Sequence, residues 1–209
     1  MAPKAIIEIQ YFPPVAYFTA MLKYGGLIIE SFENYQKQSF RNRCRILTAN
    51  KVDDLIVPVV KGNSKTLIRD LRIDYSQKWV NRHWRAIRSG YGKSPFFEHY
   101  EMYIYRVIEK KHPFLFDKNI EIIETLNNLI NLDVLIQFNS EFQLDQGEGI
   151  DDLRGVIHPK SKPGYPDFIN PANYTQLFPD KFIPNLSILD LLFCDGPNTE
   201  NILQSSIIL

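Results

Sequence analysis

A chain of 209 residues with 44% hydrophobic and 23% charged content has enough apolar material for one generous core, which excludes a disordered segment and predicts one domain over residues 1–209. Its 24 basic and 24 acidic groups cancel overall but not locally, since residues 1–110 carry a balance of +8 and residues 111–209 one of −8. A basic half matched by an acidic half argues against a DNA-binding protein and predicts a phosphorylated substrate, or attraction between the two halves.

Cys44 and Cys194 lie far apart without metal-ligand spacing, which suits a reducing compartment. The opening MAPKAIIEIQYFPP has no long apolar leader, and no window approaches 18 apolar residues. Together these features predict a cytoplasmic protein with no integral membrane segment.

In chain order, AIIEI at residues 5–9 reads as a first strand ending at the YFPP turn. VAYFTAMLKY then has helical spacing through Val15, Phe18, Met21 and Leu22, with Gly25-Gly26 as its stop, and LIIESF is a second strand. Strand, helix, strand within about 30 residues predicts an α/β fold with a central, mainly parallel sheet and flanking helices. A ligand is expected beyond the carboxyl ends of those strands, near Tyr11 and Glu33.

CRILTANKVDDLIVPVV reads as two extended segments joined around Ala49 to Lys51, with Pro58 marking an edge or bulge. With TLIRDLRID, also read as extended, it predicts a small strand-rich insertion over 43–75. SQKWVNRHWRAIRSGYG, capped at Ser76, is an amphipathic helix with Trp79, His83 and Ile87 on its apolar stripe. Further helices are expected after Pro95 and from Asp117 through Leu132. Residues 139–185 carry many glycines and prolines, including Pro163, Gly164 and Pro179, and predict a long loop able to close over a pocket. NLSILDLLFCDGPN ends the pattern with a short helix containing Asp190.

Nucleotide-binding glycine motifs, metalloprotease motifs and serine-hydrolase motifs are absent. The densest chemistry is ENYQKQSFRNRCRI at residues 33–46, with Lys37, Arg41, Arg43 and Arg45 among aromatics. Read as a strand, it places residues 41, 43 and 45 on one face, where guanidinium forks would clamp an anionic or phosphorylated sugar substrate such as a nucleotide-sugar diphosphate or an acidic sugar, or an adenylate, bond within the molecule, or simply face solvent. Asn42 would lie on the other face as an orienting or oxyanion donor, and Cys44 beside two arginines is a candidate for a lowered thiol pKa.

His83 is the candidate base, with Glu33, Asp70 or Asp74 as partner carboxylates, although a histidine between tryptophans also suits a structural role. Tyr11 and Tyr91 line expected turns, Asp151-Asp152 and Asp190 are minor acid or base candidates, and the histidine spacing favours no metal site. No cofactor is specified by the pattern.

The ordered set YFPPVAYF, ENYQKQSFRNRCRI, IVPVVKG, HWRAI, SPFFEHY and FIPNLSILDLLFCDGP resembles the WbqC-like protein family, in its Bacteroidetes form, from about Ile7 to Pro197. The resemblance implies a transferase of bacterial surface-polysaccharide (O-antigen-like) biosynthesis, passing glycine or another acyl or aminoacyl group to an amino sugar. Carried onto this chain, the family pattern covers Tyr11, Pro14, Lys37, Arg41, Asn42, Arg43, Trp79, His83, Trp84, Tyr91, Pro95, Phe97, Asn185, Ser187, Asp190 and Gly196. Many members open with His-Gln-Pro where this chain has Ile9-Gln10-Tyr11, so a mechanism that needs that histidine does not transfer. On this basis His83 and Asn42 are the catalytic candidates, and Tyr11, Glu33, Lys37, Arg41, Arg43 and Tyr91 the substrate-binding ones. A non-catalytic nucleotide-sugar or glycan-precursor binding or assembly protein, and a tRNA-interacting aminoacyl transfer protein, are the competing readings.

Overall fold

The computed structural model describes residues 4–161, 165–178 and 181–208, so Pro163, Gly164 and Pro179 lie outside the described residues. Its centre is a four-stranded, all-parallel sheet of β1 (Ala5–Glu8), β2 (Gly26–Glu30), β5 (Leu135–Phe138) and β6 (Asp151–Asp152), in the order β5-β2-β1-β6. Both inner strands are near-continuous apolar runs, the pattern of strands covered on both faces. Between them α1 (Val15–Lys23) starts at the Pro13-Pro14 turn and ends at Tyr24. Gly26 then begins β2 at φ +138°, and a Cβ there would lie 2.1 Å from the Leu135 carbonyl oxygen, so only glycine permits this approach of β5.

The chain lays β1, β2 and β5 outward in one direction and then returns to place β6 on the other side of β1. That reversal puts the crevice of an open parallel sheet beside the carboxyl ends of β1 and β6. Neither β5 nor β6 was expected from the sequence. β5 is a four-residue edge with mostly exposed side chains, and β6 is two aspartates inside the glycine- and proline-rich stretch, where no apolar run announces a strand.

The expected strand-rich insertion is an antiparallel hairpin of β3 (Arg43–Leu47) and β4 (Val52–Ile56). TLIRDLRID is not one strand: Ile68–Asp70 is a 3₁₀ turn, followed by single bridges from Arg72 to Phe114 and from Ile73 to Val59. Beyond it lie α2 (Trp79–Tyr91), α3 (Phe97–Glu109), α4 (Leu115–Ile130), α5 (Ile188–Asp195) and α6 (Thr199–Ser205). Ser76 does not cap α2, because the Asp74 carboxylate accepts from its backbone N–H at 2.9 Å and its hydroxyl at 2.6 Å in a preceding turn. Among the described residues no helix is long and apolar enough to cross a membrane.

A buried cation ties the helices together. Lys118 on α4 has no exposed surface, and its ammonium donates to the carbonyls of Val107, Ile108 (2.9 Å) and Lys110 at the end of α3. All three of its donors are thereby used on carbonyls that the helix leaves open, while burial pulls its pKa down to about 8. Lys118→Met keeps the volume but strands those carbonyls, and is expected to lower unfolding free energy by about 2–4 kcal/mol in urea titrations. An unchanged midpoint would show that water replaces the ammonium.

Candidate functional site

The two inner strands both end in Ile-Ile-Glu, and their register pairs Glu8 directly with Glu30. Two buried carboxylates therefore stand side by side at the carboxyl edge, so each needs donors to offset its lost hydration. Glu8 accepts from the Gln10 side-chain amide and from the Gly155 backbone N–H, both at 2.8 Å. Glu30 accepts from Phe32 N–H at 2.8 Å, the Asn139 amide at 2.6 Å and Arg154 Nη1 at 2.8 Å. Arg154 also holds Asp152 and the carbonyls of Gln143 and Leu144, so one guanidinium anchors the returning loop to the sheet.

Beside this edge is a cavity of about 490 Å³ lined by Glu33, Tyr35, Arg41, Phe142, Asp152 and Arg154 among others. Arg41 meets Glu33 in a two-pronged pair, Nε to Oε1 at 2.7 Å and Nη2 to Oε2 at 2.5 Å, with both side chains buried. Among the described residues its third nitrogen, Nη1, is buried with no acceptor, and Oε1 of Gln10 is buried with no donor. Burial raises the Glu33 carboxyl above its ordinary range against the opposing pull of Arg41. Phe142 adds a half-exposed ring, packed on the Arg154 guanidinium at 5.1 Å.

The cationic stretch does not present a single face. Residues Phe40–Asn42 form a 3₁₀ turn, started by the Ser39 hydroxyl accepting from Arg41 N–H, and β3 begins only at Arg43. Arg41 therefore faces away from the strand alternation and takes Glu33. Arg43 and Arg45 do share a face, and both reach Asp54 on β4, at 3.1 and 3.3 Å. Arg45 and Asp54 belong to another cavity of about 510 Å³ that also includes Phe40 and His158. The expected attraction between halves is little used: these arginines choose acids of their own half, whereas Lys110 with Glu121 joins a first-half cation to a second-half acid.

The remaining candidates fall into different places. Asn42 donates to the Val57 carbonyl at 2.8 Å, fixing the turn to the hairpin. Lys37 is exposed. His83 has no exposed surface: its Nε2 donates to the Ile56 carbonyl at 3.1 Å and its Nδ1 accepts from the Tyr11 hydroxyl at 2.9 Å. Burial lowers its pKa to about 4. Tyr91 is buried, and its hydroxyl accepts from Leu47 N–H at 2.9 Å. Asp190 lies near it, taking donors from Tyr174 at 2.7 Å and Gln176 at 2.9 Å. Tyr11 with His83, Glu33 with Arg41, and Arg43 with Asp54 are thus three separate units rather than one convergent pocket.

The cysteine reading also changes. Cys44 is buried and its thiol pKa rises through desolvation, because the flanking arginines project from the other face of β3. Glu8, Glu30, Asn139 and Arg154 were missed as site residues. The repeated Ile-Ile-Glu ending was the available sign for the two glutamates, whereas Arg154 sits in a stretch without periodicity.

The model of the WbqC-like protein family matches residues 9–157 and 160–202. Uncharacterized protein Rv1507c of Mycobacterium tuberculosis (strain ATCC 25618 / H37Rv) is 25% identical over 230 aligned positions, which span 98% of each chain. No solved structure matches the chain.

Proposed function

The chain belongs to the WbqC-like protein family, and from that premise we propose that it binds an amino sugar of a surface-polysaccharide precursor at the carboxyl-edge cavity and acylates its amine. The observation that carries this reading is the Glu33–Arg41 pair, a carboxylate and a guanidinium held together in a cavity wall with one guanidinium nitrogen left without an acceptor.

Sugars are hydroxyl-rich on their edges and apolar on their ring faces, so carboxylates, amides and guanidinium groups beside an aromatic ring form a suitable wall. The lining balances Glu33 and Asp152 against Arg41 and Arg154, so carboxylates are at hand to receive an amine. In the proposed step the amine nitrogen attacks the carbonyl carbon of an activated aminoacyl ester. Its proton passes to Glu33, whose basicity burial increases, and the ester oxygen or sulfur leaves with the bonding pair. Arg41 Nη1 donates to the developing oxyanion.

Mass measurement of an amino-sugar oligosaccharide incubated with the chain and activated glycyl esters tests this. The expected product carries one glycyl unit, and Glu33→Gln reduces its formation by about 100-fold or more while leaving sugar binding within a few-fold. Binding with no mass gain from any donor favours instead a non-catalytic carrier of glycan precursors. That second reading draws on the enclosure of both cysteines, whose raised thiol pKa values leave no ready nucleophile.

A further inference from the structure

We propose that the ligand is a nucleotide-linked sugar, whose base and phosphates occupy a second, aromatic cavity on the far side of residues 31–35 while its sugar enters the carboxyl-edge cavity; this rests on the sugar-binding reading above. The second cavity, of about 470 Å³, is lined by Phe32, Phe114, Phe116, Phe138, Arg69 and Asp70 among others. Both volumes fall within the roughly 300–1,000 Å³ usual for small-molecule sites.

One short segment, residues 31–35, contributes to both cavities. Glu33 O accepts from Ile68 N–H at 2.9 Å and Tyr35 N–H donates to Thr66 O at 2.8 Å, so the divider is bolted to residues 66–68. The chain bends at Phe32 and Glu33, so that Ser31 and Phe32 line the aromatic cavity while Glu33, Asn34 and Tyr35 line the polar one. A ligand reaching around this divider meets two different chemistries on adjoining residues.

Four phenylalanine rings give planar apolar faces, suited to stacking a heteroaromatic base and poorly suited to a sugar's hydroxyls. Phe138, whose ring lies 6.2 Å from that of Phe116, is 47% exposed and leaves apolar surface open to the cavity. Among the described residues Arg69 is the one cation of the lining, which also holds Asp70 and Asp117. Its guanidinium lies 4.9 Å over the Phe32 ring, and among the described residues no carboxylate is within ion-pairing distance of it, unlike Arg41, Arg43, Arg45 and Arg154. A guanidinium fork not already engaged by a carboxylate, in the lining of an aromatic cavity, can turn its donors to a phosphate.

Calorimetry with UDP, ADP, UDP-N-acetylglucosamine and UDP-glucosamine, alongside saturation-transfer NMR with free glucosamine, tests the assignment. UDP or ADP is expected to bind, and Phe138→Ala and Arg69→Gln, both exposed positions, are each expected to weaken that binding about tenfold without altering the response of free glucosamine. Phe142→Ala in the other cavity should weaken glucosamine and leave the bare nucleotide unchanged. Nucleotide affinity unmoved by both Phe138→Ala and Arg69→Gln overturns the proposal, as does binding of glucosamine with no binding of either nucleotide. The latter leaves the sugar reading standing, whereas nucleotide binding without any response from glucosamine removes the sugar reading and retains the aromatic site.

Discussion

Arg41→Met is expected to cost about 3–5 kcal/mol of unfolding free energy near neutral pH and, on the proposed function, to eliminate acyl transfer. The reason is the position of its partner. Glu33 is 6% exposed and takes two hydrogen bonds from Arg41, so removing the guanidinium leaves a buried carboxylate with neither charge nor donors opposite it. The sign of the pH dependence follows. The folded-state pKa of Glu33 is already raised above its ordinary 4.5, so its burial favours folding less as pH climbs through that window. Without Arg41 that pKa rises further. The deficit of the variant is therefore smaller at about pH 4, where the carboxyl is mostly protonated folded or unfolded, and grows toward about pH 7. Urea titrations at the two pH values measure it directly, and a pH-independent deficit would show that packing rather than charge is lost. The paired replacement R41M/E33L is expected to recover most of the stability and none of the activity, because an apolar pair fills the volume without an orphaned ion.

Much of the frame could be read from local sequence because local physics dictates it. Two apolar runs separated by one turn-bounded helix dictate adjacent parallel strands, and the alternating hairpin at 43–56 carries its own turn. The third and fourth sheet strands were hidden for opposite reasons. β5 is an exposed edge whose four residues follow a long helix closely, and β6 is defined wholly by pairing Asp151 and Asp152 with Ala5 and Ile6. Nothing in the residues themselves marks Asp-Asp as a strand.

The site was legible in part. Glu33 and Arg41 stand eight positions apart in the stretch singled out for its charge, but the face-sharing of residues 41, 43 and 45 depended on an unbroken strand. Ser39 breaks it with a hydroxyl cap, and Asn42 secures the break to Val57 on the neighbouring hairpin. One residue of register, decided by two short polar side chains, separates a single cationic face from two unrelated ion pairs. Arg154 was beyond local reading altogether, since its partners Glu30 and Gln143 lie in different segments and meet only because β6 returns beside β1.

Acidification should expose the role of His83. Its neutral imidazole is matched on both sides, Nε2–H to the Ile56 carbonyl and the Nδ1 lone pair to the Tyr11 hydroxyl. Protonation would set a second donor at Nδ1 against the Tyr11 O–H, in a place with no water-exposed surface, and desolvation accordingly depresses the pKa from 6.5 to about 4. A base with a depressed folded pKa binds fewer protons folded than unfolded between those two values. Its contribution is fully present above 6.5 and is lost as pH falls toward 4, a loss of about 3 kcal/mol from this one side chain. His83→Gln can place an amide N–H and a carbonyl oxygen in the same two directions without a titratable proton. The difference in stability between the native chain and H83Q is expected to shift in favour of H83Q by that amount across the window, as read by urea midpoints at several pH values. We propose that His83 braces Tyr11 at the first turn instead of moving the substrate's proton. On that proposal H83Q retains glycyl transfer within a few-fold at neutral pH, whereas loss of transfer in a variant as stable as the native chain would return the proton to His83.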